Sequence, residues 1–306
     1  MSATWNFEVL DPAYGGVSEG PIWNGSVLRF THIQASRIME YDPGAGSMRV
    51  WRENTNYANG LAYDRAGAIY ACEGGADAGS RRVVRYQAGG SARVLADNFE
   101  GKRLNIPNDL VVDGEGRVWF TDPFYEGAAG PWSKTRDDKD LDHDSVFRLD
   151  PRSDGSYSIT RLTFDTTRPN GLLFSLDHGT LYVAQSGREP AEKRQLRAYP
   201  VNADLSLGEA TVLHDFGEHR GIDGMCLDVE GNIVATAGWE LGGPGPSIYV
   251  FSPLGEVLER HAVPCKRPTN CAFGDADHQS LYVTTIEGFF LRARTHRRGR
   301  VLFPLV

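Results

Sequence analysis

The sequence predicts an all-β fold, a six-bladed β-propeller of four-stranded antiparallel blades around a central channel. Three observations predict it. First, one short stretch recurs six times: a residue with an amide or carboxylate oxygen, a small residue, then an apolar run. It reads Glu19-Gly20-Pro21-Ile22-Trp23, Asn59-Gly60-Leu61-Ala62-Tyr63 and Asn108-Asp109-Leu110-Val111-Val112, then Asn170-Gly171-Leu172-Leu173-Phe174, Asp223-Gly224-Met225-Cys226-Leu227 and Asn270-Cys271-Ala272-Phe273. The first residues lie 40, 49, 62, 53 and 47 apart, a period that belongs to propellers and solenoids. Second, each copy is followed by a turn and another run rich in Val, Ile, Tyr and Phe, such as Arg117-Val118-Trp119-Phe120-Thr121 or Ser280-Leu281-Tyr282-Val283-Thr284, which is a strand signal. Third, nothing of comparable strength reads as a long amphipathic helix.

In chain order, Trp5-Asn6-Phe7-Glu8-Val9-Leu10 alternates like a strand and precedes the first repeat. Such a strand can close the last blade and remove the open edges of the ring. Blade 1 runs from Glu19 through Val27-Leu28-Arg29-Phe30 to Ile38-Met39-Glu40-Tyr41. The third strands of blades 2 to 5 are Val83-Val84-Arg85-Tyr86, Ser145-Val146-Phe147-Arg148-Leu149, Leu196-Arg197-Ala198-Tyr199 and Ser247-Ile248-Tyr249-Val250-Phe251; that of blade 6 falls within 289–304. No linker or composition break interrupts the series, so one domain is expected over residues 1–306.

Asn-Gly and Asp-Gly are common hairpin turns, and that reading comes first. Other turns already serve the repeats, at Asp113-Gly114-Glu115-Gly116 for example, and Pro107 and Pro169 directly precede two of the Asn residues. A residue after proline in this context begins a strand instead of linking two. The first strand of a propeller blade lines the channel, so six oxygen-bearing side chains at equivalent strand starts are expected to converge near the axis.

Chain-wide quantities exclude several classes. A net charge of −8 and a pI near 5.5 argue against a nucleic-acid or anionic-membrane partner, since both reward a basic surface. No run approaches the length of a membrane span. The N-terminus lacks a basic segment followed by an apolar one, and the four cysteines, Cys72, Cys226, Cys265 and Cys271, form no CxxC pair. A reduced, cytoplasmic protein is expected.

If first strands begin on one face, the loops after second strands surround the same mouth. The loop over 122–144 is the longest, and loops of that length are usually functional or disordered. It starts at Asp122 and offers Phe124, Tyr125 and Trp132 to cover a ligand, then the acidic run Asp137-Asp138-Lys139-Asp140-Leu141-Asp142-His143-Asp144. An EF-hand would need a glycine where His143 stands and a Glu where Leu149 stands, so a solvated acidic loop is expected. Gly16-Val17-Ser18-Glu19-Gly20 matches a nucleophile elbow but leads into a strand and not a helix. The eight histidines show no HExxH spacing and the cysteines no zinc pattern. His219, four residues before Asp223, and Arg103 and Asn105, just before Asn108, are candidate substrate contacts together with Asp122 and Tyr125. Hard oxygen donors around a preformed cavity favour Ca²⁺, with Mg²⁺ and Mn²⁺ as alternatives and Zn²⁺ less suited.

The strings SEGPIW (18–23), KRLNIPNDLVVDGEGRVWFTDPFY (102–125), RPNGLLFS (168–175), LYVA (181–184), GIDGMCLD (221–228) and LYVTT (281–285) resemble the gluconolactonase and regucalcin (senescence marker protein) family of six-bladed propeller lactonases. The resemblance runs over roughly residues 15 to 290. It implies divalent-metal ligands at Glu19, Asn108, Asn170 and Asp223, with Asp223 as the general base. The regucalcin branch has an arginine two residues before its ring asparagine; Ile106 stands there, so that contact does not transfer. Asn59 and Asn270 are left as channel-lining groups. The expected activity is hydrolysis of a sugar lactone, a small-molecule substrate, to its open hydroxy acid. A phosphotriesterase-like hydrolase on the same ring and a non-catalytic calcium-binding or ligand-binding propeller are the alternatives.

Overall fold

A computed structural model describes residues 4–301. It contains six four-stranded antiparallel sheets, each with the strand order expected of a propeller blade. Blade 1 is Ser18–Trp23, Leu28–His32, Arg37–Asp42 and Ser47–Glu53. Blade 2 begins at Ala58–Tyr63, blade 3 at Leu110–Val112, blade 4 at Pro169–Phe174 and blade 5 at Ile222–Leu227. Blade 6 comprises Pro268–Gly274, Ser280–Thr285 and Phe290–Arg294, and its outer strand is Phe7–Asp11 from the other end of the chain. The expected closure by the N-terminal strand is therefore present, and neither edge of the ring is left without a partner strand. The only helical piece among the described residues is a single turn at Arg136–Asp138.

Each pair of neighbouring blades packs its facing side chains into one apolar layer. Between blades 2 and 3 it holds Tyr70, Cys72, Val83, Leu110, Phe120, Phe147 and Leu149; Phe120 and Phe147 stack at 5.5 Å. Full burial of such a side chain contributes about 1.5–3 kcal/mol, so the ring is held by six interfaces and not by one central core. The outer strands differ: Ser47–Glu53 mixes exposed and half-buried positions and has no fully buried one. Trp5 anchors the N-terminus by stacking on His261 at 4.0 Å. All four cysteines are free thiols, with Cys226 and Cys271 on adjacent inner strands and their Sγ atoms 3.7 Å apart. Among the described residues no helix is long and apolar enough to cross a membrane.

Candidate active site

The recurring stretch acts as a device for aiming side chains. In five blades the inner strand loses register with its neighbour within the stretch: between Glu19 and Ile22, Ala58 and Leu61, Pro169 and Leu172, Ile222 and Met225, and Pro268 and Cys271. A bulge of this kind re-aims a side chain and frees backbone groups. Threonines on the second strands satisfy the freed groups. Thr31 Oγ1 donates to Asn59 O at 3.0 Å, Thr236 Oγ1 donates to Thr269 O at 2.7 Å, and Thr284 Oγ1 accepts from Asn270 N at 3.1 Å. The small residue is a packing requirement. Gly20 has φ +53°, and a Cβ there would lie 2.5 Å from Asn59 O; a Cβ on Gly224 would lie 2.1 Å from Asn270 Cγ. Glycine lets adjacent inner strands approach closely at the axis.

Glu19, Asn59, Asn108, Asn170, Asp223 and Asn270 are all 4–7% exposed. Burial first, and then the charges of Asp223 and Asp109, push Glu19 well above the usual carboxylate range. Glu19 Oε2 accepts from Gly20 N at 3.0 Å. Asn170 gives its amide N–H to Tyr125 Oη at 3.3 Å, its carbonyl oxygen having no partner among the described residues, and Tyr125 donates to Arg168 O at 3.1 Å. The Asn108 side chain makes no hydrogen bond among the described residues. Asp223 Oδ2 accepts from Arg220 Nη2 at 2.9 Å and lies 3.9 Å from Arg267 Nε. Its Oδ1 has no partner among the described residues.

One residue at the axis escapes the sequence reading. In the third copy the small-residue position is held by Asp109, whose Oδ1 accepts from Leu110 N at 2.9 Å and whose Oδ2 accepts from Asn270 Nδ2 at 3.4 Å. Burial pushes this carboxyl up to about 7, against the pull of those two donors. The room it needs comes from Gly60, where a Cβ would lie 2.6 Å from Asp109 Oδ1. Asp109 and Asn270 also line a cavity of about 180 Å³ with Ile22, Leu61, Leu172 and Phe273. That cavity is lined by neither Glu19 nor Asp223.

The remaining candidates are dispersed. Arg103 sits on a separate two-stranded hairpin, donating to Gly79 O at 2.7 Å and pairing with Asp97 at 3.5 Å. Asn105 and Asp122 are 0% exposed; Asp122 Oδ2 accepts from Asn105 N at 2.8 Å, and the Asn105 amide donates to Asp122 O at 3.0 Å and His143 O at 3.1 Å. This pair braces the wall and presents no surface to a substrate. His219 is exposed and backs onto Gly243, while its neighbour Arg220 turns inward to Asp223. Of the loop aromatics only Tyr125 reaches the ring. Phe124 and Trp132 pack with Ile106 and Ala129, so they build a small core instead of covering a ligand. The acidic run is engaged by cations: Asp140 pairs with Arg81 at 2.8 Å, Asp142 with Arg161 at 3.2 Å, and Asp144 with Arg136 at 3.1 Å and also Lys139.

Among the described residues no three His, Cys, Asp or Glu side chains assemble as a metal-ligating group. A cation at the ring therefore has to rely on amide oxygens beside Glu19 and Asp223. That donor set suits calcium or magnesium and does not suit zinc or copper. Two buried carboxylates that repel each other, a free Asn170 oxygen and an unpartnered Asn108 amide fit such a cation.

Residues 17–287 match the family described as the SMP-30/Gluconolactonase/LRE-like region. A gluconolactonase of Zymomonas mobilis is 31% identical over 92% of this chain and 79% of its own length. A pentonolactonase of Haloferax volcanii is 29% identical over 89% of this chain and 82% of its own. A solved structure of a gluconolactonase from Xanthomonas campestris superposes with a TM-score of 0.79 at 28% identity, covering 95% of this chain and 89% of that one. With the six blades and the ring of oxygen donors already in place, these similarities establish that the chain belongs to the SMP-30/gluconolactonase family.

Proposed function

We propose that this protein hydrolyses a sugar lactone to its aldonic acid at the ring-side mouth of the channel. The enzyme is a lactonase, in keeping with its relatives named gluconolactonase and pentonolactonase. The observation that carries the reading is the buried, mutually repelling pair Glu19 and Asp223 in one ring with the Asn108 amide and the Asn170 carbonyl oxygen, neither of which has a hydrogen-bond partner among the described residues. Those four side chains would hold one divalent cation, Ca²⁺ by donor hardness, with Mg²⁺ and Mn²⁺ as alternatives. Bound there, a cation supplies Lewis acidity toward the lactone carbonyl.

The chain's own groups supply the rest. Asp223 is the candidate general base: its Oδ1 has no hydrogen-bond partner among the described residues, while Arg220 holds Oδ2 and so fixes the plane of the carboxylate. The water oxygen bonds to the carbonyl carbon, Asp223 takes the water's proton, and the ring C–O bond then breaks with a proton returned to the departing alkoxide. Tyr125, fixed by Arg168 O, engages the Asn170 amide through its N–H and leaves the oxygen to serve as a ligand. A pH-stat assay on D-glucono-1,5-lactone and D-xylono-1,4-lactone, run before and after chelation and again after metal return, tests the reading. Loss with chelation and recovery with metal are expected; full activity in the chelated enzyme would contradict the cation, and no activity under any condition would contradict the lactonase.

A further inference from the structure

The mouth of the channel carries more positive charge than the aiming of Asp223 by Arg220 requires. Three successive blades each contribute one arginine on the ring side. Arg188 comes from the loop after the second strand of blade 4, Arg220 from the start of blade 5 and Arg267 from the start of blade 6. Arg188 lies over the Tyr125 ring, 4.5 Å from its centroid, and donates to Glu126 O at 3.3 Å. Arg220 donates from Nη1 to Ser186 O at 3.2 Å and from Nη2 to Asp223. The guanidinium of Arg267 makes no hydrogen bond among the described residues, where its one ion-pair contact is Asp223 at 3.9 Å. The Nε atoms of both Arg220 and Arg267 are buried without a hydrogen-bond partner among the described residues.

Three guanidiniums in one corner repel one another, and a buried donor left unpaired costs about 1–3 kcal/mol. The carboxylates at hand fall short of the cations. Glu126 lies 3.8 Å from Arg188 but is shared with Arg168, which also pairs with Glu192, each at 2.8 Å, and Asp223 is shared by Arg220 and Arg267 and belongs to the ring. The corner thus holds more positive charge than its own chain neutralises, in a protein whose net charge is −8. Arginine stays protonated at any working pH, and its planar fork suits carboxylate, sulfonate and phosphate oxygens.

We propose that Arg188, Arg220 and Arg267 form an anion subsite, and that the preferred substrate is a sugar lactone carrying a carboxylate, sulfonate or phosphate remote from the ring ester. This rests on the lactonase reading above and adds the substrate class. Arg267, whose guanidinium makes no hydrogen bond among the described residues, is the principal contact; Arg188, half-exposed at the rim, meets the same group.

The test has a kinetic arm and a binding arm. Wild type, Arg188→Gln and Arg267→Gln are assayed on neutral D-glucono-1,5-lactone and on its 6-phosphorylated counterpart. The non-reactive acids D-gluconate and 6-phospho-D-gluconate are titrated calorimetrically into the same three proteins. Each charged hydrogen bond is worth roughly tenfold or more, so wild type is expected to favour the phosphorylated lactone in kcat/KM by at least about tenfold. Each variant should reduce that ratio about tenfold, chiefly through KM, with a parallel loss of 6-phosphogluconate affinity. A carboxylate-bearing lactone and a sulfonate-bearing one, run in parallel, identify which anion is preferred. Equal kcat/KM for neutral and charged lactones in wild type, or ratios untouched in both variants, would overturn the subsite. If no lactone is hydrolysed the lactonase reading fails instead, and the calorimetry decides the subsite by itself: selective, arginine-dependent binding of the phosphorylated acid upholds it and equal binding of both acids refutes it.

Discussion

Arg220 Nη2 donates to Asp223 Oδ2 at 2.9 Å, and both side chains are about nine-tenths buried. The pair spans one short approach to the blade 5 inner strand, so the residue that aims the candidate base is carried on the same segment as the base. Removing one partner of a buried pair leaves a desolvated charge, at a cost of about 3–5 kcal/mol. Arg220→Met is therefore expected to lower the melting temperature markedly. Because a bound divalent cation would neutralise Asp223, added Ca²⁺ should raise the melting temperature of the variant more than that of wild type. Equal shifts in the two proteins would show that no cation shares Asp223 with Arg220.

Asp122 offers a pH-dependent stability to measure. Burial pushes its carboxyl up to about 8 in the folded chain, from an ordinary value of 3.8. Between those values the folded protein holds a proton that the unfolded chain has released, so stability falls as pH rises toward and through 8. Asp122→Asn keeps an oxygen for the Asn105 N–H and has nothing to titrate. Thermal unfolding from pH 6 to pH 9 should show a steeper loss in wild type than in the variant. Parallel profiles would mean that Asp122 is ionised throughout.

Gly224→Ala tests the reason for the small residue in the repeated stretch. The added Cβ would fall 2.1 Å from Asn270 Cγ, and Asn270 is held in turn by Cys271 N at 2.8 Å and by Asp109. Overpacking of this sort costs about 1–3 kcal/mol, and displacement of Asn270 should perturb the ring. A reduced melting temperature together with weaker divalent-metal binding is expected. Wild-type values for both would indicate that the inner strands separate without difficulty and that the close approach does not require a glycine.

The fold and the ring were legible for one physical reason. Propeller blades repeat their constraints, so the bulge at Glu19-Gly20 returns at Asn170-Gly171 and Asp223-Gly224 and can be counted along the chain. The closing strand at Phe7–Asp11 was legible because it alternates and has no partner nearby in sequence. Outer strands such as Ser47–Glu53 carry mixed burial and a correspondingly weak pattern. Asp109 escapes because it falls in the small-residue position of its copy, although its departure from the small residue of the other copies is a visible signal. Arg220 lost to His219 because nothing in the spacing tells which neighbour turns inward. Arg188 and Arg267 belong to blades far apart in sequence, and only the closed ring brings them to one corner.

Asp223 carries the central claim, and Asp223→Asn separates its two roles. The amide keeps a carbonyl oxygen in nearly the same place while losing the charge and the ability to accept a proton. The measurement is the rate of lactone hydrolysis by this variant across a divalent-metal titration, with metal binding followed calorimetrically on the same preparation. Loss of a general base costs on the order of 10²–10⁴ in rate. Weakened metal binding and a kcat that stays depressed by that factor at saturating metal are the results predicted. Recovery of the wild-type rate once the metal site is filled would make Asp223 a ligand only, and an unchanged rate at every metal concentration would remove it from the chemistry altogether.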